Sequence, residues 1–145
     1  MWKLLLVDDR ESVREVLRLY ADGRGLTVVA EAATGDAALA AAQRHHPHAI
    51  ILDEEMPGRN GSDVLPELRA ELPEAVIVLY SSGRRSGVHS RARASGADAY
   101  FDKRVSPREV IAAVIDILEA VGPRLERFPR RREQQLDPTQ AGTRA

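Results

Sequence analysis

Five short apolar runs punctuate the chain, and four of them stop at a polar or charged group. Leu4, Leu5, Leu6 and Val7 run into Asp8 and Asp9, and Ile50, Ile51 and Leu52 run into Asp53. Residues 75–80 (AVIVLY) run into Ser81, and residues 99–101 (AYF) into Asp102 and Lys103. The fifth run, residues 26–32, is centred on Val28 and Val29. Runs of this length bounded by turn residues predict strands buried on both faces.

The intervening stretches carry helical periodicity. Val13, Val16, Leu17 and Tyr20 share one face of a first helix, which Gly23 and Gly25 end. Asp8 or Asp9, taken alone, also suits the N-cap of that helix. Thr34 or Asp36 starts an alanine-rich second helix, closed by His45-His46-Pro47-His48. The histidines lack the i, i+4 spacing and the thiolate or acid neighbours of a metal site, so they read as a solvated loop. A third helix is expected over residues 62–72, capped by Ser62 or Asp63, with Pro66 in its first turn and Pro73 after its end. Residues 84–95 make a weak, basic fourth helix containing Arg84, Arg85, Arg91 and Arg93, a solvated face or a mobile cationic contact surface. Ser106-Pro107 caps the last helix, whose stripe is Val110, Ile111, Val114, Ile115, Leu118 and Val121, and Gly122-Pro123 ends it.

Strict alternation of strands and helices predicts an α/β fold with a parallel sheet and right-handed crossovers. A single five-stranded series suits the flavodoxin-like, doubly wound order 2-1-3-4-5 with five helices. That order brings strands one and three together, so Asp8, Asp9 and Asp53 converge at the carboxyl edge of the sheet, where such folds place their chemistry. The neighbouring strands add Ser81 and Lys103 to the same edge.

Composition narrows the chemistry. The 145 residues, 43% hydrophobic and 30% charged, suit one globular domain. The net charge of −1 gives no field that argues for nucleic acid or an anionic membrane. The absence of cysteine removes disulfides, thiolate catalysis and cysteine-bound zinc. The first apolar run is too short for a signal peptide or a membrane span, which leads to a cytoplasmic reading. Residues 122–145 differ from the rest: they lose periodicity after Leu125 and carry six arginines against three acids. We therefore divide the chain into a domain over 1–121 and a basic, disordered tail over 122–145. The triplet Arg130-Arg131-Arg132, without aromatic residues, is too weak a signal for nucleic-acid binding by this chain.

Three carboxylates in one pocket repel one another unless a cation relieves them, and Mg²⁺ suits a sparse oxygen set completed by water and phosphate. An ammonium and a hydroxyl beside them suit a phosphoryl group, and with no histidine at a strand end Asp53 is the candidate nucleophile.

The whole pattern resembles the receiver domains of two-component response regulators. It is carried by Asp8-Asp9, Asp53, Met56-Pro57 with Asn60-Gly61, Ser81-Ser82, and residues 96–103 (GADAYFDK), within a span of about residues 3–121. The resemblance implies that Asp53 accepts a phosphoryl group from the phosphohistidine of a sensor histidine kinase or phosphotransfer protein. Asp8, Asp9, Asp53 and the Glu55 backbone carbonyl would hold Mg²⁺. Lys103 would bind the phosphoryl group, Ser81 would move to bond it, and Tyr100 would swing inward behind it. The face made by the fourth helix, fifth strand and fifth helix would then change for a downstream protein target, and a homodimer is allowed. The domain would be a phosphoacceptor, with at most self-phosphorylation from small donors and autodephosphorylation. It would be stand-alone or lack its output domain, since residues after Val121 cannot form a helix-turn-helix unit.

Two departures stand out. The family usually places a proline, with a cis peptide, after the lysine; Arg104 stands there, and a non-proline cis bond costs about 3–4 kcal/mol. Either that bond is trans, with Lys103 placed differently, or the strain is kept. Glu54 and Glu55 add negative charge beside Asp53, and Glu55 is expected to tune the lifetime of the phosphorylated state. A phosphorylation-independent adaptor is the alternative reading. A haloacid-dehalogenase-type hydrolase would need a second aspartate where Glu55 stands.

Overall fold

The computed structural model describes residues 1–83, 93, 94 and 96–135, with 123–135 as backbone only. Five parallel strands form one sheet: β1 (Trp2–Val7), β2 (Leu26–Ala32), β3 (Ala49–Leu52), β4 (Val76–Ser81) and β5 (Ala99–Asp102). Their order is β2-β1-β3-β4-β5, as expected. The described helices are α1 (Glu11–Ala21), α2 (Gly35–His45), α3 (Gly61–Glu71) and α4 (Pro107–Gln135). The basic helix expected over 84–95 lies outside the described residues, apart from Arg93 and Ala94, which are helical. Among the described residues no helix is long and apolar enough to cross a membrane.

The unbroken apolar runs have a simple cause, because both faces of the sheet are covered. Leu5, Val7, Ile50, Leu52, Ile77 and Leu79 face one core with Val64, Leu65 and Leu68 of α3 and Ala38 and Ala42 of α2. The alternate residues Leu4, Leu6, Ile51, Val76 and Val78 face the other, with Leu17 of α1 and Val110, Ile111, Val114 and Leu118 of α4. Each fully buried large side chain contributes about 1.5–3 kcal/mol.

Several boundaries differ from expectation. α3 starts at Gly61 with Asn60 as its N-cap residue, not at Ser62 or Asp63, so Pro66 falls inside the helix, past the first turn, and removes one backbone bond. The earlier start is held from outside the helix. The buried Glu54 carboxylate accepts Ser62 N–H at 2.6 Å and Ser62 Oγ–H at 2.9 Å. Asp63 supports it by accepting Asn60 N–H at 3.2 Å.

α4 runs on to Gln135, through Gly122 and Pro123, where the sequence places its end. Gly122 serves contact rather than termination, since a β-carbon there would lie 3.2 Å from Cη2 of the Trp2 ring. The histidine stretch is also more structural than a solvated loop. His48 Nδ1 accepts Lys3 N–H at 2.9 Å, and its ring meets Trp2 edge-on at 5.2 Å.

Candidate functional site

Backbone pairing aligns the strand ends. Asp53 N–H donates to the Val7 carbonyl at 2.8 Å, and Asp8 N–H to the Ala32 carbonyl at 3.0 Å. Asp8 and Asp53 therefore leave adjacent strands at one level of the carboxyl edge. Carboxylate oxygens of Asp8, Asp9 and Asp53 lie within 4.8 Å of one another, with Asp8 and Asp53 buried and Asp9 exposed. This is the expected triad, and its hard oxygen donors suit a divalent cation.

Neither aspartate of the pair is the N-cap residue of α1. That position belongs to Arg10, whose N–H donates to Asp8 Oδ1 at 2.9 Å. Arg14 reaches the Asp8 carbonyl at 2.5 Å and Glu31 at 2.9 Å, which fastens the first turn of α1 to β2.

Lys103 comes to the same place from β5. Its Nζ lies 2.7 Å from Asp8 Oδ2, 3.7 Å from Asp53 Oδ1 and 5.2 Å from the centre of the Tyr80 ring. Every described peptide bond is trans, so the expectation at Arg104 resolves to a trans bond with Lys103 still in the acidic cluster. Lys103 N–H donates to the Ser81 carbonyl at 2.7 Å, which seats the residue at the end of β5.

Asp53 carries the clearest electrostatic mark. Burial, with the nearby charge of Asp8 and then Asp9, pushes its carboxyl up to about 7, against the lowering effect of Lys103 and the Glu55 N–H. A metal-free protein thus holds Asp53 partly protonated at neutral pH. Burial also raises Tyr80, whose hydroxyl donates to the Val105 carbonyl at 2.5 Å.

The open side of the site is a cleft of about 350 Å³ lined by Asp9, Arg10, Val13, Asp53, Glu55, Ser82 and Lys103. Glu55 N–H donates to Asp53 Oδ1 at 3.4 Å, and its carboxylate accepts Ser82 Oγ–H at 2.5 Å across the cleft. Ser81 lies one residue back and is fully buried. Its Oγ accepts Gly83 N–H at 3.2 Å and is hydrogen-bonded to the Tyr100 hydroxyl. Tyr100 is half-buried, packs against the α2/α3 side of the core, and is raised by burial.

The sequence reading missed Glu54. It sets Glu54 beside Asp53 as extra charge, but the side chain turns to the start of α3. The local sequence holds no signal for a cap supplied from eight residues upstream. Gly61 is the partner of this turn, because a β-carbon there would sit 2.2 Å from the Asp53 carbonyl oxygen. Ser82 stands in the sequence only as one of a serine pair after β4, and Arg10 only as a polar residue opening α1.

The profile of the response regulator receiver domain matches residues 4–115. The chain belongs to that family. This receiver domain is 34% identical to the transcriptional regulatory protein ResD of Bacillus subtilis, over 80% of the chain and 48% of ResD. It is 35% identical to a probable transcriptional regulator, ycf27, of Porphyridium aerugineum, over 82% of the chain and 49% of that protein. The receiver domain thus spans about half the length of the curated relatives it matches. Among solved structures it is similar to the receiver domain of AraT, a response regulator of Geobacillus stearothermophilus. The TM-score is 0.72 at 31% identity, with 82% of this chain and 96% of that one covered. A LuxR-family two-component response regulator of Aurantimonas gives a TM-score of 0.76 at 30% identity, covering 83% and 86%. Membership makes this a signalling domain of a response regulator, with an acidic cluster able to bind a metal.

Proposed function

We propose that this receiver domain takes a phosphoryl group on Asp53 from the phosphohistidine of a sensor histidine kinase or phosphotransfer protein, in the cytoplasm and with Mg²⁺. The observation that carries the reading is the meeting of Asp8, Asp9, Asp53 and Lys103 around one cleft.

Asp8, Asp9 and Asp53 side chains, with the Glu55 carbonyl, would hold the Mg²⁺. When bound, the ion keeps the carboxylates ionised and offsets phosphoryl charge. An Asp53 oxygen then bonds phosphorus as the donor's P–N bond breaks, and the imidazole keeps the electron pair and takes up a proton. Lys103 turns its ammonium from Asp8 toward a phosphoryl oxygen. Ser81 leaves Tyr100 to donate to another, and Tyr100 repacks behind it. The face of β5 and its flanking helices then presents a different packing to a downstream protein, a population shift between two states. In this reading residues 1–121 are the signalling unit and residues 122–145 a basic appendage. Glu55, joined to Ser82 over the cleft, tunes how long the phosphoryl group lasts.

The test is incubation with Mg²⁺ and acetyl phosphate followed by the mass of the intact protein. One labile phosphoryl group is expected, and Asp53→Ala or chelation of Mg²⁺ removes it. A phosphorylation-independent adaptor gains no mass.

A further inference from the structure

Arg10 stands directly after the paired aspartates, and its side chain does no structural work. It is the N-cap residue of α1, where its donor-only side chain cannot cap the helix. It is exposed, and it lines the cleft over Asp53. Among the described residues its guanidinium has no hydrogen-bond or ion-pair partner; only its backbone is engaged, the N–H donating to Asp8 and the carbonyl accepting from Val13 and Arg14. The other cation of the cleft is committed, since Lys103 sits 2.7 Å from Asp8 and 3.7 Å from Asp53. Three acids, Asp9, Asp53 and Glu55, also line the cleft.

A phosphodonor brings its own negative charge to this acidic opening. Repulsion from the three acids lowers the chance of productive entry, and one uncommitted cation at the mouth counteracts it. A guanidinium suits the role because its planar fork bonds two phosphoryl oxygens and is always charged.

We propose that Arg10 is the capture residue for anionic phosphodonors, holding the phosphoryl oxygens at the cleft mouth before Asp53 attacks. This rests on the phosphoacceptor reading above. Arg10 takes no covalent part. With acetyl phosphate, an Asp53 oxygen bonds phosphorus, the donor P–O bond breaks, and acetate leaves with the electron pair.

The full chain is loaded with acetyl phosphate at saturating Mg²⁺, and the rate is read from intact mass. Arg10→Ala should lower the second-order loading rate roughly tenfold at low ionic strength. Arg10→Glu should fall further, and Arg10→Lys should recover most of the loss. The deficit should shrink as salt approaches about 0.5 M, where screening removes the attraction. A purely structural role predicts none of this charge order or salt dependence. The Mg²⁺ concentration for half-maximal loading should not rise in Arg10→Ala, because no ligand has been removed. Equal low-salt rates for wild type and Arg10→Ala overturn the inference, as does an Arg10→Glu rate equal to that of Arg10→Ala. A wild-type protein that fails to load on Asp53 overturns the phosphoacceptor reading instead, and the inference with it.

Discussion

Asp53 ties stability to pH through one proton. Its carboxyl is raised from 3.8 to about 7 in the folded protein, first by burial and then by Asp8. A raised carboxyl binds its proton more tightly in the folded state than in the unfolded chain. Its stabilising contribution is therefore complete below about pH 3.8 and is lost as the pH climbs to about 7. The loss is on the order of 4 kcal/mol in total, and near 1.4 kcal/mol per pH unit within that window. Urea unfolding of the metal-free protein between pH 4 and 8 should show this slope relative to Asp53→Asn, in which it disappears. Saturating Mg²⁺ should remove most of the difference at pH 7, because a bound cation favours the ionised carboxylate against both the burial and the Asp8 repulsion that raise the group. Parallel pH profiles for wild type and Asp53→Asn without metal would refute this account.

The β3–α3 turn shows where sequence reasoning succeeds and where it stops. The strands and their order follow from apolar runs alternating with helices, because two-sided burial writes itself as unbroken hydrophobicity at residues 4–7 and 50–52. The same logic delivers Asp8, Asp53 and Lys103 to one edge, since strand ends are set by the runs themselves. The turn obeys a different rule. Glu54 caps α3 across eight residues, and Gly61 lets the helix start press against the Asp53 carbonyl. Both depend on how the loop folds back, which no local period encodes. A methyl group at position 61 would lie 2.2 Å from that carbonyl oxygen, 3.0 Å from its carbon and 3.1 Å from Leu79 Cδ1. The obstacle is backbone, so relief must move Asp53 itself. Gly61→Ala should thus lose about 1–3 kcal/mol of stability in chemical denaturation and also slow loading of Asp53. A variant that keeps both would show that the turn yields without disturbing the site.

At the scale of the molecule the sheet has two ends with different duties. The carboxyl edge carries the acids and Lys103, while the opposite edge is closed by Trp2, His48 and the part of α4 around Gly122. Gly122 decides between two views of that closure, and they differ in sign. If it is only an unconstrained glycine inside α4, a leucine there should be tolerated or should stabilise by up to about 1 kcal/mol through helix propensity. If it is the floor on which the Trp2 ring rests, with Cη2 only 3.2 Å from where a β-carbon would stand, a leucine must push the ring away. The second view predicts that Gly122→Leu loses about 1–3 kcal/mol, the usual range for overpacking. Trp2 is the one tryptophan of the chain, so its fluorescence reports directly. Its emission should shift to the red in Gly122→Leu before any denaturant is added. Loading of Asp53 by acetyl phosphate should persist in the folded variant, because the displaced contact lies at the opposite end of the strands. A stabilised Gly122→Leu with unchanged emission would leave the position as an ordinary helix-interior glycine with no part in the closure.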